Sequence, residues 1–246
     1  MKIWRLFGVD IIELIIENLS VNIGNKKIID SISTTFKTKE LVLLLGRNGS
    51  GKSTFLKALA GLTKYSGKIF TSTNEKHYLV TGYIFQNPET QIIGSTVWED
   101  VIFGLENIGL ARDEIKKRAE KALKIVGLYK FKDLDPYVLS GGQKQKLAIA
   151  SILSMEPYFL LLDEPTAMLD KHDRKIIKIL IKELKKLNIG VILATHHSNF
   201  FFDIADRIIF LSNGKIVFDG KTNNYTELIG KLFSKEGDVF GFNLSH

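Results

Sequence analysis

A glycine-rich segment that directly follows an apolar run constrains the fold of this chain more than any other feature. The run Leu41–Leu45 has the pattern of a strand buried on both faces of a sheet. Residues 46–54 then match the pattern G-x-x-x-x-G-K-[ST], and a helix is predicted from Lys52 to Ala60. A strand before the pattern and a helix after it favour a phosphate-binding loop over an incidental glycine-rich turn.

The residue types in this loop suit a polyphosphate ligand. Glycine lets the backbone wrap closely around phosphate oxygens, so that several N–H groups converge on them. The N-terminus of the predicted helix adds partial positive charge. We expect Lys52 to contact the β- and γ-phosphates and the Ser53 hydroxyl to bind Mg²⁺. The predicted nucleotide-binding residues of the loop are Gly46, Arg47, Asn48, Gly49, Ser50, Gly51, Lys52, Ser53 and Thr54.

Two adjacent acids lie where a second apolar run ends. Residues 158–162 predict another buried strand, and Asp163 and Glu164 follow it directly. Ligands of open α/β sheets bind just beyond the carboxyl ends of the strands. Asp163 would hold Mg²⁺, largely through water, and Glu164 would polarise the water that attacks the γ-phosphate. The alternative interpretation is an N-cap with a solvated neighbour, but two carboxylates beside a polyphosphate repel it unless a metal ion intervenes.

The rest of the chain alternates between apolar strands and amphipathic helices. Strands are predicted at residues 11–16, 21–23, 158–162 and 190–195, and residues 208–211 and 215–218 predict a hairpin. Helices are predicted at residues 113–126, 140–155 and 171–187. This alternation predicts an α/β fold with a largely parallel sheet. The middle third, residues 89–155, is mainly helical and is expected to form a separate lobe.

Composition argues against several classes of protein. No apolar run approaches the roughly 18 residues that a membrane-spanning helix needs, and the first ten residues do not read as a signal peptide. The chain contains no cysteine, so it has neither disulfides nor cysteine-bound metals. Its net charge of +7 comes with lysines spread along helical faces, and no basic–aromatic RNA-binding motif accompanies them. We expect a cytoplasmic protein that does not bind nucleic acid.

The pentapeptide at residues 139–143, Leu-Ser-Gly-Gly-Gln, resembles the signature of ATP-binding cassette (ABC) proteins. The resemblance extends from about Ile11 to Leu232. It implies a single ABC-type ATPase domain over residues 1–246, built on a P-loop NTPase (RecA-like) core with a mainly parallel sheet. That core would span about residues 11–88 and 156–232. The inserted helical signature subdomain would span about residues 89–155, and a C-terminal tail about residues 233–246.

The resemblance also implies roles for the residues at matching positions. Gln86 would connect the two lobes and contact both ATP and Mg²⁺. His196 would be the switch histidine and would stabilise γ-phosphate charge together with Lys52, while Glu164 would be the general base. Asp170, in the loop that follows the acidic pair, would lie at a dimer interface. The implied metal ligands are Ser53, Gln86 and Asp163.

In this family the signature contacts the nucleotide of a second protomer. Ser140, Gly141, Gly142 and Gln143 open a predicted helix, so they present N–H groups and a hydroxyl to an anion. The resemblance therefore implies two cassettes arranged head to tail that enclose two ATP molecules. Hydrolysis would remove the bridging γ-phosphate and release the pair.

Residues 83–104 narrow the resemblance to the energy-coupling-factor importers, which take up vitamins or transition-metal ions such as cobalt and nickel. The implied partners are a second ABC ATPase subunit, a transmembrane coupling protein and a substrate-binding membrane subunit. The chain would then lie on the cytoplasmic face of the membrane. The segment after Gln86 would receive helices of the membrane partner. Trp98 is either an anchor for that contact or a residue buried in the helical lobe.

Two positions depart from the family pattern. Ile23 stands where the family usually has an aromatic residue that stacks on adenine, so the stacking partner is absent or lies elsewhere, as at Trp4 or Phe7. Lys146 stands where arginine is frequent after the signature, and it keeps the charge without the bidentate hydrogen bonding. The resemblance assigns no role to residues 1–10.

Other functions within the family remain open at this stage. The chain could drive another ABC importer or an exporter, or it could be a soluble ABC ATPase that acts on translation or nucleic acid. Those soluble relatives usually have two cassettes in one chain or a long coiled-coil insertion, and this chain has neither. A non-catalytic member of a heterodimer is disfavoured because Glu164, His196 and the signature are intact. Homodimer and heterodimer both remain open, and other subunits would bind the transported solute.

Overall fold

Two β-sheets organise the computed structural model, which describes residues 11–196 and 198–222. The strands are β1 (Glu13–Ile23), β2 (Lys26–Lys37), β3 (Leu41–Leu45), β4 (Ser66–Thr71), β5 (Thr81–Ile84), β6 (Phe159–Asp163), β7 (Gly190–Ala194), β8 (Arg207–Ser212) and β9 (Lys215–Lys221). The helices are α1 (Lys52–Leu59), α2 (His77–Val80), α3 (Val97–Asn107), α4 (Arg112–Val126), α5 (Gly141–Ser154), α6 (Lys171–Lys186) and α7 (Ser198–Phe201). Most predicted elements are present with ends within one residue, although β9 runs three residues further than predicted.

The larger sheet has six strands in the order β5-β6-β7-β3-β8-β9. All neighbouring pairs are parallel except β8 and β9, which form the predicted antiparallel hairpin. Every residue of β3, β6 and β7 is buried, as the continuous apolar runs predicted. Successive residues of β3 enter two different hydrophobic clusters, one on each face of the sheet. The predicted α/β fold with a mainly parallel sheet is therefore confirmed.

The second sheet is antiparallel and has the order β2-β1-β4. The prediction of two separate strands at residues 11–16 and 21–23 was wrong, because one strand runs through both. The pairing of β1 with β2 shifts register between Ile16 and Leu19, so the strand continues through the polar residues that interrupt the apolar pattern. Asn18, at this irregularity, has a positive φ of 50°. β2 was not predicted, because its inward residues alternate with serine, threonine and lysine.

Three helices that lie between β5 and β6 in the chain pack together. α3 and α4 both pack against α5, the helix that the signature opens. Trp98, at the start of α3, is half-buried and packs against the core, so its ring is not free on the surface. Within the described residues, no helix is both long enough and apolar enough to cross a membrane. The boundaries of the helical subdomain at about residues 89–155 stay a prediction.

The strand order decides which loops meet. β6, β7 and β3 are consecutive neighbours, and Asp163 at the end of β6 is paired with Ala194 at the end of β7. The segments that leave these three strands therefore emerge side by side at one edge of the sheet. They carry the phosphate loop, the acidic pair and His196. Outside the described residues lie Trp4, Phe7 and His197, the end of the predicted core at residues 223–232, and the predicted tail at residues 233–246.

Candidate functional site

The phosphate loop runs so close to neighbouring strands that two of its glycines cannot carry a side chain. Gly46 has a φ of 151°, and a Cβ there would lie 2.3 Å from the carbonyl oxygen of Leu211. Gly51 has a φ of 106°, and a Cβ there would lie 2.7 Å from Cδ1 of Ile29. Only glycine combines these backbone angles with this clearance. The chain can therefore turn from β3 into α1 within a few residues.

Lys52, the first residue of α1, folds back over this loop. Its Nζ donates to the carbonyl oxygens of Gly46, at 2.8 Å, and Arg47, at 3.3 Å. The side chain is buried, and burial lowers the pKa of Lys52, while the nearby Glu164 and Asp163 carboxylates oppose that shift. The ammonium group is therefore held between the loop and the two acids, where a phosphate group would gain from its charge.

The interior of the loop has an unsatisfied polar atom. Ser50 is buried, and within the described residues its Oγ has no hydrogen-bond partner. A buried hydroxyl left without a partner costs roughly 1–3 kcal/mol, and a polar ligand that enters the loop recovers that cost. The first N–H groups of α1 also have no acceptor within the helix. This concave, donor-rich loop fits the phosphate groups of a nucleotide.

Asp163 is held on both of its oxygens. Ser53 Oγ donates to Oδ1 at 2.9 Å, and the Tyr83 hydroxyl donates to Oδ2 at 2.7 Å. One carboxylate beside one hydroxyl suits Mg²⁺, which usually takes few protein ligands and completes its shell with water and phosphate oxygens. Within residues 11–196 and 198–222, no group of three or more histidine, cysteine or acidic side chains could hold a metal ion by itself. The residues therefore fit a magnesium ion that arrives with its nucleotide.

Sequence reasoning did not single out Tyr83 as part of the site. The residue lies on β5, whose pairing with β6 brings it beside Asp163 across a separation of 80 residues. Nothing local in the sequence reveals this, because β5 itself was not predicted and the neighbour of a parallel strand is set by tertiary packing. A tyrosine one residue before the end of a strand would be a signal only after the sheet order is known.

Glu164 and His196 meet at the same edge of the sheet. The His196 backbone N–H donates to Glu164 Oε2 at 3.1 Å, and His196 Nε2 lies 3.1 Å from Oε1. Glu164 is buried and has a positive φ of 50°, and its backbone N–H donates to the Ala194 carbonyl oxygen at 2.9 Å. Strained backbone of this kind concentrates at functional sites, where the surrounding structure holds the side chain in one direction.

The surroundings of His196 favour the neutral form of its imidazole. Burial and, secondly, the Lys52 ammonium lower the pKa of His196, and the Asp163 carboxylate opposes them only in part. A neutral ring can donate one N–H and accept at its other nitrogen. His196 can therefore donate its single N–H either to Glu164 Oε1 or to a polar ligand, without adding a second full charge beside Lys52.

The signature residues form the capped start of α5. Ser140 is the N-cap: the Gln143 N–H donates to its Oγ at 3.2 Å, and the Ser140 N–H donates to Gln143 Oε1 at 2.8 Å. The Gly142 N–H donates at 3.2 Å to Oδ2 of Asp173, on the first turn of α6. A Cβ at position 142 would lie 2.3 Å from Asp173 Cγ, so a side chain there would displace this carboxylate.

The surface around the signature is exposed and apolar. Ser140 and Gly141 are exposed, and Tyr137, Val138 and Met168 keep 79%, 70% and 63% of their surface accessible. Aromatic residues and methionine are enriched in protein interfaces, and adjacent exposed apolar residues often mark one. Asp170, which the resemblance places at a dimer interface, is exposed and accepts the Asp173 N–H at 2.8 Å as the N-cap of α6.

For two of the predicted ligand contacts, the described residues show no contact with this cluster. Gln86 is exposed two residues after the end of β5, and no contact described for it reaches Ser53 or Asp163. Ile23 ends β1, opposite Lys26, with 58% of its surface accessible. The site therefore brings together Lys52, Ser53, Asp163, Glu164 and His196, while Gln86 and an adenine-stacking group remain predictions.

Comparison with known proteins decides the family. The sequence model of a family described as ABC transporter matches residues 29–167, more than half of the chain. The chain belongs to the ABC transporter family. This confirms the resemblance drawn from the signature, and the chain is an ATP-binding ATPase of that family.

Named relatives agree with the narrower resemblance of residues 83–104. The energy-coupling factor transporter ATP-binding protein EcfA1 of Thermotoga maritima is 41% identical over 219 residues, which cover 87% of this ABC protein and 84% of the relative. The EcfA1 protein of Fusobacterium nucleatum is 44% identical over 214 residues, covering 83% and 81%. The solved structure of CbiO1 from Clostridium perfringens, described as part of the ABC transporter complex CbiONQ, superimposes with a TM-score of 0.79 at 34% identity, covering 90% and 94%.

The exposed position of Ile23 makes its replacement by tyrosine a test of adenine stacking. Base–aromatic stacking is worth about 1–3 kcal/mol, so Ile23→Tyr should tighten ATP binding by up to about a hundredfold. Titration calorimetry would measure the affinity, with inorganic tripolyphosphate as a ligand that lacks the base and should bind unchanged. Ile11→Tyr, at a site with a similar accessibility of 55%, is the matched control. Equal ATP affinities for Ile23→Tyr and wild type would show that the stacking partner lies elsewhere.

Proposed function

We propose that this ABC ATPase is the motor subunit of an energy-coupling-factor-type importer for a vitamin or a transition-metal ion. It would act on the cytoplasmic face of the membrane with a second cassette, a transmembrane coupling protein and a substrate-binding membrane subunit. The observation that carries the proposal is the meeting of Lys52, Asp163 and Glu164 beside the phosphate loop in a chain similar over most of its length to named energy-coupling-factor ATPases. The sequence of residues 83–104 supports the same assignment.

The site supports hydrolysis of ATP with roles divided among adjacent residues. Lys52 offsets negative charge on the β- and γ-phosphates. Glu164, held by the His196 backbone N–H, would accept a proton from the attacking water, and the neutral imidazole of His196 would donate to a γ-phosphate oxygen. Ser53, Asp163 and Gln86 are the proposed magnesium ligands. Mg²⁺, when bound, supplies positive charge against the phosphate oxygens.

The signature supports a composite site with a second protomer. Ser140 and Gly141 are exposed at the start of α5, where amide groups and a hydroxyl can face a phosphate of the partner's ATP. Exposed apolar residues on both sides, Tyr137, Val138 and Met168, would be covered by the partner. ATP would then form part of the dimer interface, and its hydrolysis would release the pair.

A groove beside Gln86 supports the contact with a membrane partner. It has a volume of about 990 Å³ and lies between the helical segment and the edge strand β5. Phe85 and Gln91 line it on either side of Gln86, and the exposed apolar side chains of Leu79 and Ile108 lie at its walls. A groove of this size and composition fits one amphipathic helix.

Hydrogen bonds and one exposed ion pair tie the segment after Gln86 to the signature helix α5. Asp100 is buried in α3, and its Oδ1 accepts the Ile93 and Gly94 N–H groups at 2.8 Å and 3.1 Å. Its Oδ2 accepts the Ser151 hydroxyl of α5 at 2.6 Å, and Lys144 of α5 reaches Glu89 at 2.5 Å. Movement of a partner helix in the groove would therefore displace α5 and the signature together. Closure of the ATP site and movement in the membrane would be coupled in this way.

The proposal is tested by isolating the complex. The tagged chain, purified from membranes of its native cell, should carry a second cassette or a second copy and at least two membrane proteins, identified by mass spectrometry. Ile108→Glu, in the groove, should reduce recovery of the membrane proteins at least tenfold while ATP binding stays unchanged. Ile179→Glu, on the exposed face of α6, is the matched control. A complex that contains no membrane protein would contradict the transport function.

A further inference from the structure

We infer that Tyr83 is a positioning residue for the magnesium site: its hydroxyl holds Asp163 Oδ2, so that Oδ1 faces Ser53 and the metal position. The inference rests on the proposed role of Asp163 in ATP hydrolysis. It adds a supporting residue to the metal site, contributed by the edge strand β5 rather than by the phosphate loop or by β6.

The tyrosine ring is fixed from several sides. Tyr83 is 6% exposed and belongs to the hydrophobic cluster that also contains Leu44 and Leu161. The ring of Phe85 packs edge-on against it, with ring centroids 4.8 Å apart. A ring confined in this way delivers its hydroxyl to one point, and the distance of 2.7 Å to Asp163 Oδ2 is ideal for an O–H donor.

The two hydrogen bonds on Asp163 give its oxygens different tasks. The terminal torsion of an aspartate is broad, so an unrestrained carboxylate rotates and exchanges its oxygens. With Oδ2 bound to Tyr83, Oδ1 stays 2.9 Å from Ser53 Oγ. Without Tyr83, Oδ2 would be buried without this donor and would turn toward the nearby ammonium of Lys52, which already interacts electrostatically with Asp163. Such a rotation would withdraw the carboxylate from the metal position.

Tyr83 is the donor in this hydrogen bond, because an ionised carboxylate can only accept and the phenol carries the one O–H. The neutral hydroxyl therefore orients Asp163 without adding a negative charge to the site. Residues that orient metal ligands in this manner typically change metal affinity or activity by about 10–100-fold when they are replaced.

Tyr83→Phe tests the inference because it removes the hydroxyl and keeps the ring. In the presence of ADP, the affinity for Mn²⁺, measured by electron paramagnetic resonance, should fall about 10–100-fold. ATP affinity measured in excess chelator should change by less than about twofold, because the phosphate loop is untouched. Tyr65→Phe, which removes the hydroxyl of a half-buried tyrosine packed on His77, should leave both affinities as in the wild type.

A double variant separates positioning from a general effect on folding. If Tyr83 acts through Asp163, Tyr83→Phe should change Mn²⁺ affinity little further in an Asp163→Asn background, while a merely structural role predicts additive losses. Thermal unfolding of each variant without metal checks that the fold is retained. Unchanged Mn²⁺ affinity in Tyr83→Phe, with metal-dependent nucleotide binding intact in the wild type, would overturn the inference alone. Failure of the wild type to bind nucleotide at all would instead overturn the proposed function.

Discussion

Glu164→Gln should lower the rate of ATP hydrolysis about 10²–10⁴-fold while ATP stays bound, the range that loss of a general base usually produces. The substitution preserves shape: glutamine has the same length, and its side-chain oxygen can still accept the His196 backbone N–H. Both residues carry a Cβ, so the backbone cost of the positive φ at this position is unchanged. The substitution removes the negative charge and with it the capacity to take a proton from water.

The measurement compares steady-state phosphate release with ATP occupancy and with the size of the complex in solution. Bound ATP that is not hydrolysed should hold two cassettes together, so the variant should elute as an ATP-dependent dimer. Glu183→Gln makes the same change of charge on the exposed face of α6 and should hydrolyse ATP at the wild-type rate. Near-normal turnover in Glu164→Gln would assign the general base to another residue.

Lys52→Ala should weaken nucleotide binding itself, by about a hundredfold or more. Truncating one partner of a buried charge pair costs about 2–5 kcal/mol, since the other charge is left without compensation. Lys52→Ala removes two favourable interactions. The phosphates lose a cation, and Asp163 and Glu164 lose the nearby ammonium group. Without the Lys52 ammonium, the repulsion between these two carboxylates and the polyphosphate of ATP is less compensated, which weakens ATP binding further.

Calorimetric titration with ATP and Mg²⁺ would measure this loss. Lys64→Ala, an exposed lysine beyond the end of α1, is the control for a general change of net charge and should bind ATP as the wild type does. The unfolding temperature should be compared as well, because Lys52 also bridges the Gly46 and Arg47 carbonyls. Tight ATP binding by a folded Lys52→Ala protein would contradict the role assigned to this residue.

The phosphate loop and the start of α5 could be predicted before the fold was known, because the contacts that define them are local in the chain. The phosphate loop combines a turn, a helix start and a lysine within nine residues, and each requirement acts between near neighbours in the chain. The same holds for the capping box of Ser140 and Gln143, which are three residues apart. Strand β1 was wrongly predicted as two strands because its continuity depends on a distant contact. Pairing with β2 holds β1 together across the irregular residues between Ile16 and Leu19.

The sequence by itself determined the α/β class, the phosphate loop, the acidic pair and the signature, because these depend on periodicity and on spacing over a few residues. Tertiary structure alone decided that Tyr83 holds Asp163 and that Asp173 contacts Gly142, across 80 and 31 residues respectively. Such pairs follow from the order of the strands and the docking of α6 on α5. The strand order and the helix docking depend on how the sheet and the helices bury their apolar faces against one another. This cannot be predicted from any short stretch of residues, because it involves the whole domain.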